Sequence, residues 1–489
     1  MTLAHGVVFG YLALVLVVGV VAGRRGGGGV ADFVAGDRAF GPVLMYFVMG
    51  ATLFSAYALL GTPQRVVSKG SDAFYILAYG AVGFVPVYFF GARVRRLGAK
   101  LGCVTQAELI GGRFGSRYVC GLMGVATVLA FVPYLVIQLK GAGMVMAAVT
   151  GWDPTFGAAV VYTVVMMYVV LGGVRGVGWT NVVQGIAMLI VVWGLGLWIP
   201  HVLYGGVPEM FDRVIAERPD TLVLPGPGPT SDGQYTAEIL VSILGFSMWP
   251  QVFMKCFTAK SSRLVQLSAV LYPTFLFFLV PLLFIGYAAV LEGGPADDTV
   301  LLWMLDRPAL GGIGPAAFAF VAFAILAASM STGDALLHAG GSILIRDVVV
   351  GGMGRKLDDR TQTAGMRASI VLLGLVALFV LGQSAGTSVV DLLLLAYAIP
   401  IQFMPLVLAG LYWRRANASA GAAALSVGVG SAVGLFALQQ LAPGAYAALN
   451  PWGLQIGAIA GALNLVTLVA VALSTRPMPA AHLEHYEVG

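Results

Sequence analysis

An all-α polytopic membrane fold with about 13 transmembrane helices is what this sequence predicts, and three observations predict it. Of the 489 residues, 59% are hydrophobic and only 10% are charged, whereas soluble domains carry roughly a quarter charged residues. Apolar runs of bilayer length recur from one end of the chain to the other. Lys and Arg fall in alternate gaps between those runs, as the preference for positive charge in cytoplasmic loops requires. The net charge of +5 is therefore topological information and does not point to nucleic acid.

In order, the apolar cores are 6–23, 41–61, 73–94, 118–149, 157–173, 180–204, 237–257, 267–291, 312–345, 366–382, 389–413, 420–441 and 452–473. Nothing between them is long enough for a soluble domain, so 1–489 reads as a single transmembrane unit. The first run follows an uncharged N-terminus and precedes Arg24-Arg25. A signal peptide carries its positive charge ahead of the run, so the first run reads as a retained helix with its N-terminus outside. On that frame the inner gaps hold 21 of the 27 Lys and Arg, Lys255 among them. The outer gaps hold only Arg65, Lys69, Arg213, Arg218 and Arg307, and the C-terminus falls inside. The longest gap, 205–235, contains Pro225-Gly226-Pro227-Gly228-Pro229 and is placed to cover one face. Cys103, Cys120 and Cys256 stand apart, with no metal or disulfide spacing, and read as small buried hydrophobes.

Two spans are interrupted. The second contains Gly50, Ala51, Thr52, Phe54, Ser55, Ala56 and Tyr57 before Gly61-Thr62-Pro63, a small-residue stretch that permits close approach or local unwinding. The seventh contains Gly245-Phe246-Ser247-Met248-Trp249-Pro250-Gln251, where Pro250 removes a helix hydrogen bond and frees the carbonyl of Phe246. Unwound backbone at membrane depth is tolerated around a cavity or an ion, where freed carbonyls become ligands. Two such breaks, five spans apart, point to an inverted-repeat transporter with a site at mid-membrane. In the ninth run, Ala328, Ser331, Thr332 and Asp334 share one helix face. Its hydroxyls suit a hard cation, or else bond to carbonyls a turn back. A carboxylate at this depth is a functional candidate by default. Lys140, inside the fourth span, reads as a snorkelling side chain or a helix-end ion pair, or else as the partner of an anionic substrate group.

Four stretches together resemble the sodium:solute symporter family: Ala51 to Pro63, Gly172 to Gln184 (GGVRGVGWTNVVQ), Ala327 to Asp334 with Arg346-Asp347, and Ala396 to Asn417. The resemblance covers nearly the whole chain. It implies a LeuT-like five-plus-five fold, with spans 2–6 and 7–11 forming inverted repeats at about 41–204 and 237–413. Helices 6–23, 420–441 and 452–473 are then extra. It further implies a sodium site made by the carbonyls of Ala51, Phe54 and Ala328 and the hydroxyls of Ser331 and Thr332. Substrate is expected beside the ion, against Ser55, Ala56, Tyr57, Phe246, Ser247, Trp249 and Gln251, with Lys140 meeting a carboxylate. The family's W-T-D acid is Asn181 here, while Asp334 lies one turn past Ser331. These two residues mark a possible second cation site.

The expected activity is sodium-coupled symport of a small organic solute by alternating access, in the inner membrane, with the monomer as the functional unit. The second span looks more like the monocarboxylate-permease branch than the sugar branch. Few polar side chains line the expected cavity, which disfavours sugars and favours a short monocarboxylate, with proline, another amino acid or a pantothenate-type solute as the runner-up. Catalytic residues are not expected. Beyond sodium no metal or cofactor is implied, and Gly26-Gly27-Gly28-Gly29 has no Lys-Ser/Thr after it to make a phosphate loop. A sensor module of the same membrane fold is the rival of a different class; the chain ends about fifteen residues after the last run, which leaves no room for a signalling domain.

Overall fold

The computed structural model describes residues 3–24, 26, 28–227, 231–310, 315–383 and 389–487. Among them regular structure is helical, apart from an isolated bridge between Phe40 and Ala259. Among the described residues nine helices are long and apolar enough to cross a membrane, or ten when the bent pair Asp232–Phe246 and Pro250–Thr258 forms one span. The difference from thirteen runs lies in how runs join and break. The fifth and sixth runs lie in one unbroken stretch, Pro154–Tyr204, but as two helices that meet at Gly173, whose φ of 54° and ψ of −153° are not helical. The eleventh run is divided instead, into Val389–Tyr397 and Phe403–Tyr412 with a short turn at Pro400–Gln402. The expected starts of the ninth run at 312 and part of the Pro/Gly cluster from 228 lie outside the described residues, as does Arg25.

Local chemistry sets the boundaries. Gly151, at φ 73°, closes the fourth span, and Asp153 opens the next helix by accepting from the amides of Thr155 and Phe156. Thr105 and Glu108 form a reciprocal capping box at Gln106–Arg113. The ninth span is the central pillar: 89% of its most apolar window is buried, against 28% for the first span. The lipid-facing shell carries exposed side chains such as Leu14, Ile190, Phe379 and Val466, the expected surface for a protein whose outer solvent is hydrocarbon.

The first span is fitted to the fifth and sixth by glycine. A methyl group added at Gly19 would meet Cβ of Tyr168 at 2.8 Å, and one at Gly176 would meet the Gly19 carbonyl at 2.9 Å. Gly23 lies directly against the Gly172 backbone. Two glycine pairs spaced by four residues thus let backbones touch, as small residues do between membrane helices. The segment after the sixth span folds into the helix Val207–Glu217 and the turn Pro219–Leu222. It packs over the turn Gly70–Phe74, where Ser71 donates to the Thr221 carbonyl at 2.8 Å.

Candidate ion and solute site

The helix Pro42–Ala51 stops at Ala51, residues 52–55 leave the helical path, and a wide turn resumes at Tyr57–Gly61. The carbonyls of Ala51 and Thr52 thereby lose the amides they would have met one turn on. The first amide of the resumed segment, Ala56, donates to Oε1 of Gln138 on the fourth span at 3.0 Å. In the seventh span Asp232–Phe246 stops, Ser247 to Trp249 turn, and Pro250 begins the second half at an angle of 42°. Proline at a helix start forfeits no internal hydrogen bond, and the Trp249 carbonyl accepts from Val252 and Phe253, each at 2.9 Å.

Between these breaks the ninth span passes without interruption. Ser331 Oγ donates to the carbonyls of Ala51 at 3.0 Å and Ala328 at 3.1 Å. Thr332 Oγ1 donates to the Thr52 carbonyl at 2.9 Å. Five oxygens from two helices therefore converge, and the Ser331 and Thr332 hydroxyls cross to the second span instead of serving only their own helix. Thr52 is an addition to the expected set. Phe54 lies two residues on, in the unwound stretch, with its ring stacked on Phe275 at 4.9 Å and set against Phe278 at 4.8 Å. Ser329 Oγ donates to the Gln138 carbonyl at 2.6 Å, and Tyr162 Oη donates to the Ser329 carbonyl at 3.0 Å. The second, fourth, fifth and ninth spans are thus tied around the break.

Asp334 is fully buried. Its Oδ2 accepts from Tyr168 at 2.7 Å and Thr180 at 3.2 Å, whereas its Oδ1 has no partner among the described residues. Asn181 donates to Oγ1 of Thr52 at 3.2 Å, the residue whose carbonyl accepts from Thr332, and its own Oδ1 likewise has no partner among the described residues. Lys255 departs from its sequence assignment. Counted with the inner loops, it is only 3% exposed, in the second half of the broken seventh span.

Ser55, Ser247, Trp249 and Gln251 share one property: each has a buried polar side-chain atom with no hydrogen-bond partner among the described residues. Tyr134 approaches Ser55, and Tyr397 approaches Trp249, without closing hydrogen-bond geometry. Tyr134 and Tyr397 also flank the Trp249 ring, at 4.9 and 5.3 Å. Phe246 joins an aromatic wall with Tyr79, Phe84 and Tyr272 at 5.5–5.8 Å. Ala56 abuts Gly141 of the fourth span, and Tyr57 shares a short hydroxyl contact with Tyr75.

The ammonium of Lys140 pairs with Asp298 Oδ2 at 2.6 Å, in the loop after the eighth span, a contact that accords with the expected alternative of an ion pair. Sequence reasoning missed Thr52, Tyr134, Gln138, Tyr168 and Lys255. A polar residue inside an apolar run was the available signal for Gln138 and Lys255; the tyrosines gave none beyond ordinary packing.

The model of the sodium:solute symporter family matches residues 33–428. The chain belongs to the sodium:solute symporter family. Symporter YhjB of Bacillus subtilis (strain 168) is 27% identical over 97% of this chain and 98% of its own. A monocarboxylate transport permease protein of Rhizobium johnstonii is 26% identical over 83% of each. Among solved structures, a Na+-coupled sialic acid symporter in a substrate-bound outward-open state superposes with a TM-score of 0.80. That match covers 97% of this chain and 98% of the other at 18% identity, a likeness of fold. This symporter-family chain therefore has a multi-pass, LeuT-like transporter architecture, and its family and fold are those of transporters and not of enzymes. Among its described residues no group of three or more His, Cys, Asp or Glu is arranged to hold a metal.

Proposed function

We propose that the chain is a sodium-coupled importer of a short monocarboxylate, working as a monomer by alternating access in the inner membrane, with its N-terminus outside. The observation that carries this reading is the convergence of the Ser331 and Thr332 hydroxyls on the freed carbonyls of the second span. Sodium there would be held by the oxygens of Ala51, Thr52, Ala328, Ser331 and Thr332, with Phe54 supplying a further carbonyl. The repeats 41–204 and 237–413 would supply one broken helix each. Asn181 and Asp334, each with an unpartnered oxygen, are the proposed second cation position.

The solute would lie against Ser55, Ala56, Tyr57, Phe246, Ser247, Trp249 and Gln251. The unpartnered groups there are hydroxyl, indole and amide, all uncharged. They can donate to a carboxylate but cannot neutralise it, and Lys140 is engaged with Asp298. The neutralising charge therefore falls to the adjacent sodium. Anion and cation then bind better together than apart, and such coupling is reciprocal by thermodynamic necessity. The test is uptake into proteoliposomes by the variant carrying Ser331→Ala and Thr332→Ala. The sodium concentration for half-maximal uptake should rise by about tenfold or more, a loss of at least ~1.4 kcal/mol of cation binding. Unaltered sodium dependence would remove the site.

A further inference from the structure

A second concave site lies far from the helix breaks. A cavity of about 470 Å3 is lined by Arg93, Arg113, Tyr412, Arg414, Tyr486 and Glu487, among others. Arg113 is 5% exposed, and its two Nη atoms are fixed by the carbonyls of Ala416 at 3.3 Å and Trp413 at 3.2 Å. Burial lowers its pKa from the ordinary guanidinium value, and repulsion from Arg93 and Arg414 acts in the same direction. Arg93 lies over the Tyr412 ring at 5.2 Å, and its Nε is buried without a partner among the described residues. Arg414 pairs with Glu487 at 2.7 Å. Among the described residues three guanidinium groups thus line this cavity with one carboxylate, an excess of positive charge in a space much larger than a carboxylate needs.

The carboxylate arrives on the C-terminal segment. Lys100 donates to the carbonyls of Glu484 at 3.3 Å and Glu487 at 3.1 Å, and the His482 ring meets the Arg113 carbonyl at 3.1 Å. On its other side the cavity borders lipid-facing aromatics: Tyr412 is exposed and donates to the carbonyl of exposed Phe89 at 3.2 Å. Aromatic side chains of this kind sit at headgroup level. Basic pockets between membrane helices take anionic headgroups, and arginine matches phosphate oxygens with two parallel hydrogen bonds.

We propose that this cavity binds a phosphate group, that of an acidic phospholipid, in competition with the chain's own Glu487. The lipid's phosphate would take the Arg93 and Arg414 donors, and its acyl chains would leave past Tyr412 and Phe89. Glu487 is the resident anion that it displaces.

The experiment is native mass spectrometry of the full chain in neutral detergent, titrated separately with phosphatidylglycerol, phosphatidylcholine and inorganic phosphate. Phosphatidylglycerol should bind more tightly than phosphatidylcholine. Arg93→Gln with Arg414→Gln should weaken it by about tenfold or more, at roughly 1 kcal/mol for each basic residue near the surface. Glu487→Gln should strengthen it by about fivefold on the same scale. That opposite change is one that a damaged fold would not produce. Equal retention of the two lipids, or phosphatidylglycerol binding indifferent to all three substitutions, would overturn the proposal. Arginine-dependent binding of inorganic phosphate without arginine-dependent binding of phosphatidylglycerol would overturn the lipid assignment and leave a soluble phosphate as the ligand.

Discussion

Gln251 and Trp249 bring neutral hydrogen-bonding groups to the broken seventh span, and their replacement separates recognition from packing. Trp249→Phe keeps an aromatic ring against Tyr134 but deletes the indole N–H. Gln251→Ala deletes both amide groups. Each should raise the KM for solute by about tenfold, the scale of one or two hydrogen bonds of roughly 1 kcal/mol, while half-saturation by sodium moves less. Radiolabelled uptake at saturating sodium reads this out, and an unmoved KM for both variants would return these groups to packing. Lys140 calls for a different test. If it belongs to the outer loop, Lys140→Met leaves Asp298 short of its cation and lowers stability by about 1–3 kcal/mol, and adding Asp298→Asn recovers much of the loss. Were Lys140 a carboxylate ligand, the double variant would melt normally and still fail to transport. Paired melting curves and uptake assays separate the two.

At the scale of helices, the segment after the break in the second span and the segment before the break in the seventh are joined by a buried ion cluster. Arg65, 2% exposed, bridges the carboxylates of Asp72 and Glu238, and its guanidinium lies over the Tyr75 ring at 3.9 Å. Gln455, near the last span, donates to the other Glu238 oxygen at 3.2 Å. Removing the cation from such a cluster strands buried negative charge. Arg65→Gln should therefore cost about 3–5 kcal/mol and depress the yield of folded protein. Arg65→Lys keeps the charge but loses the fork that spans two carboxylates. Hydrogen exchange should then quicken in residues 62–72 and 232–246 ahead of the ninth span; uniform exchange across the molecule would mean that the cluster does not tie these segments. The helix breaks were legible in the sequence because proline and runs of small residues are local signals. Their partners were not. Gln138 reaches Ala56, Asp298 reaches Lys140 and Thr52 reaches Thr332 across large gaps in the chain, and no periodicity records a contact of that kind. The same blindness left Lys255 counted with the loops: a lysine at a run's end reads as basic flank, and the bend at Pro250 that carries it inward is a tertiary fact.

For the molecule as a whole, the all-α polytopic membrane class was readable because bilayer length and charge asymmetry act on every segment at once, and the LeuT-like architecture followed from the family resemblance of four stretches. The bend at Gly173 between 157–173 and 180–204 was not readable, since which residue of Gly172-Gly173 takes the positive φ depends on what packs against it. Binding should appear as stability. Sodium at a hundred times its dissociation constant should add about 2.7 kcal/mol to the folded state, and a solute that needs sodium should raise the melting point only in its presence. Thermal scans in sodium, potassium and choline chlorides, each with and without a short carboxylate, check both statements. Equal melting in all three salts would count against sodium coupling.

The glycine contact between the first span and the fifth and sixth has a mechanical result. Where Gly19 and Gly23 touch Gly172 and Gly176 without intervening side chains, little can slide, because the smallest rotation drives main chain into main chain. The opening helix is in effect a stave nailed to the hull, able to shift only together with the two helices that it touches.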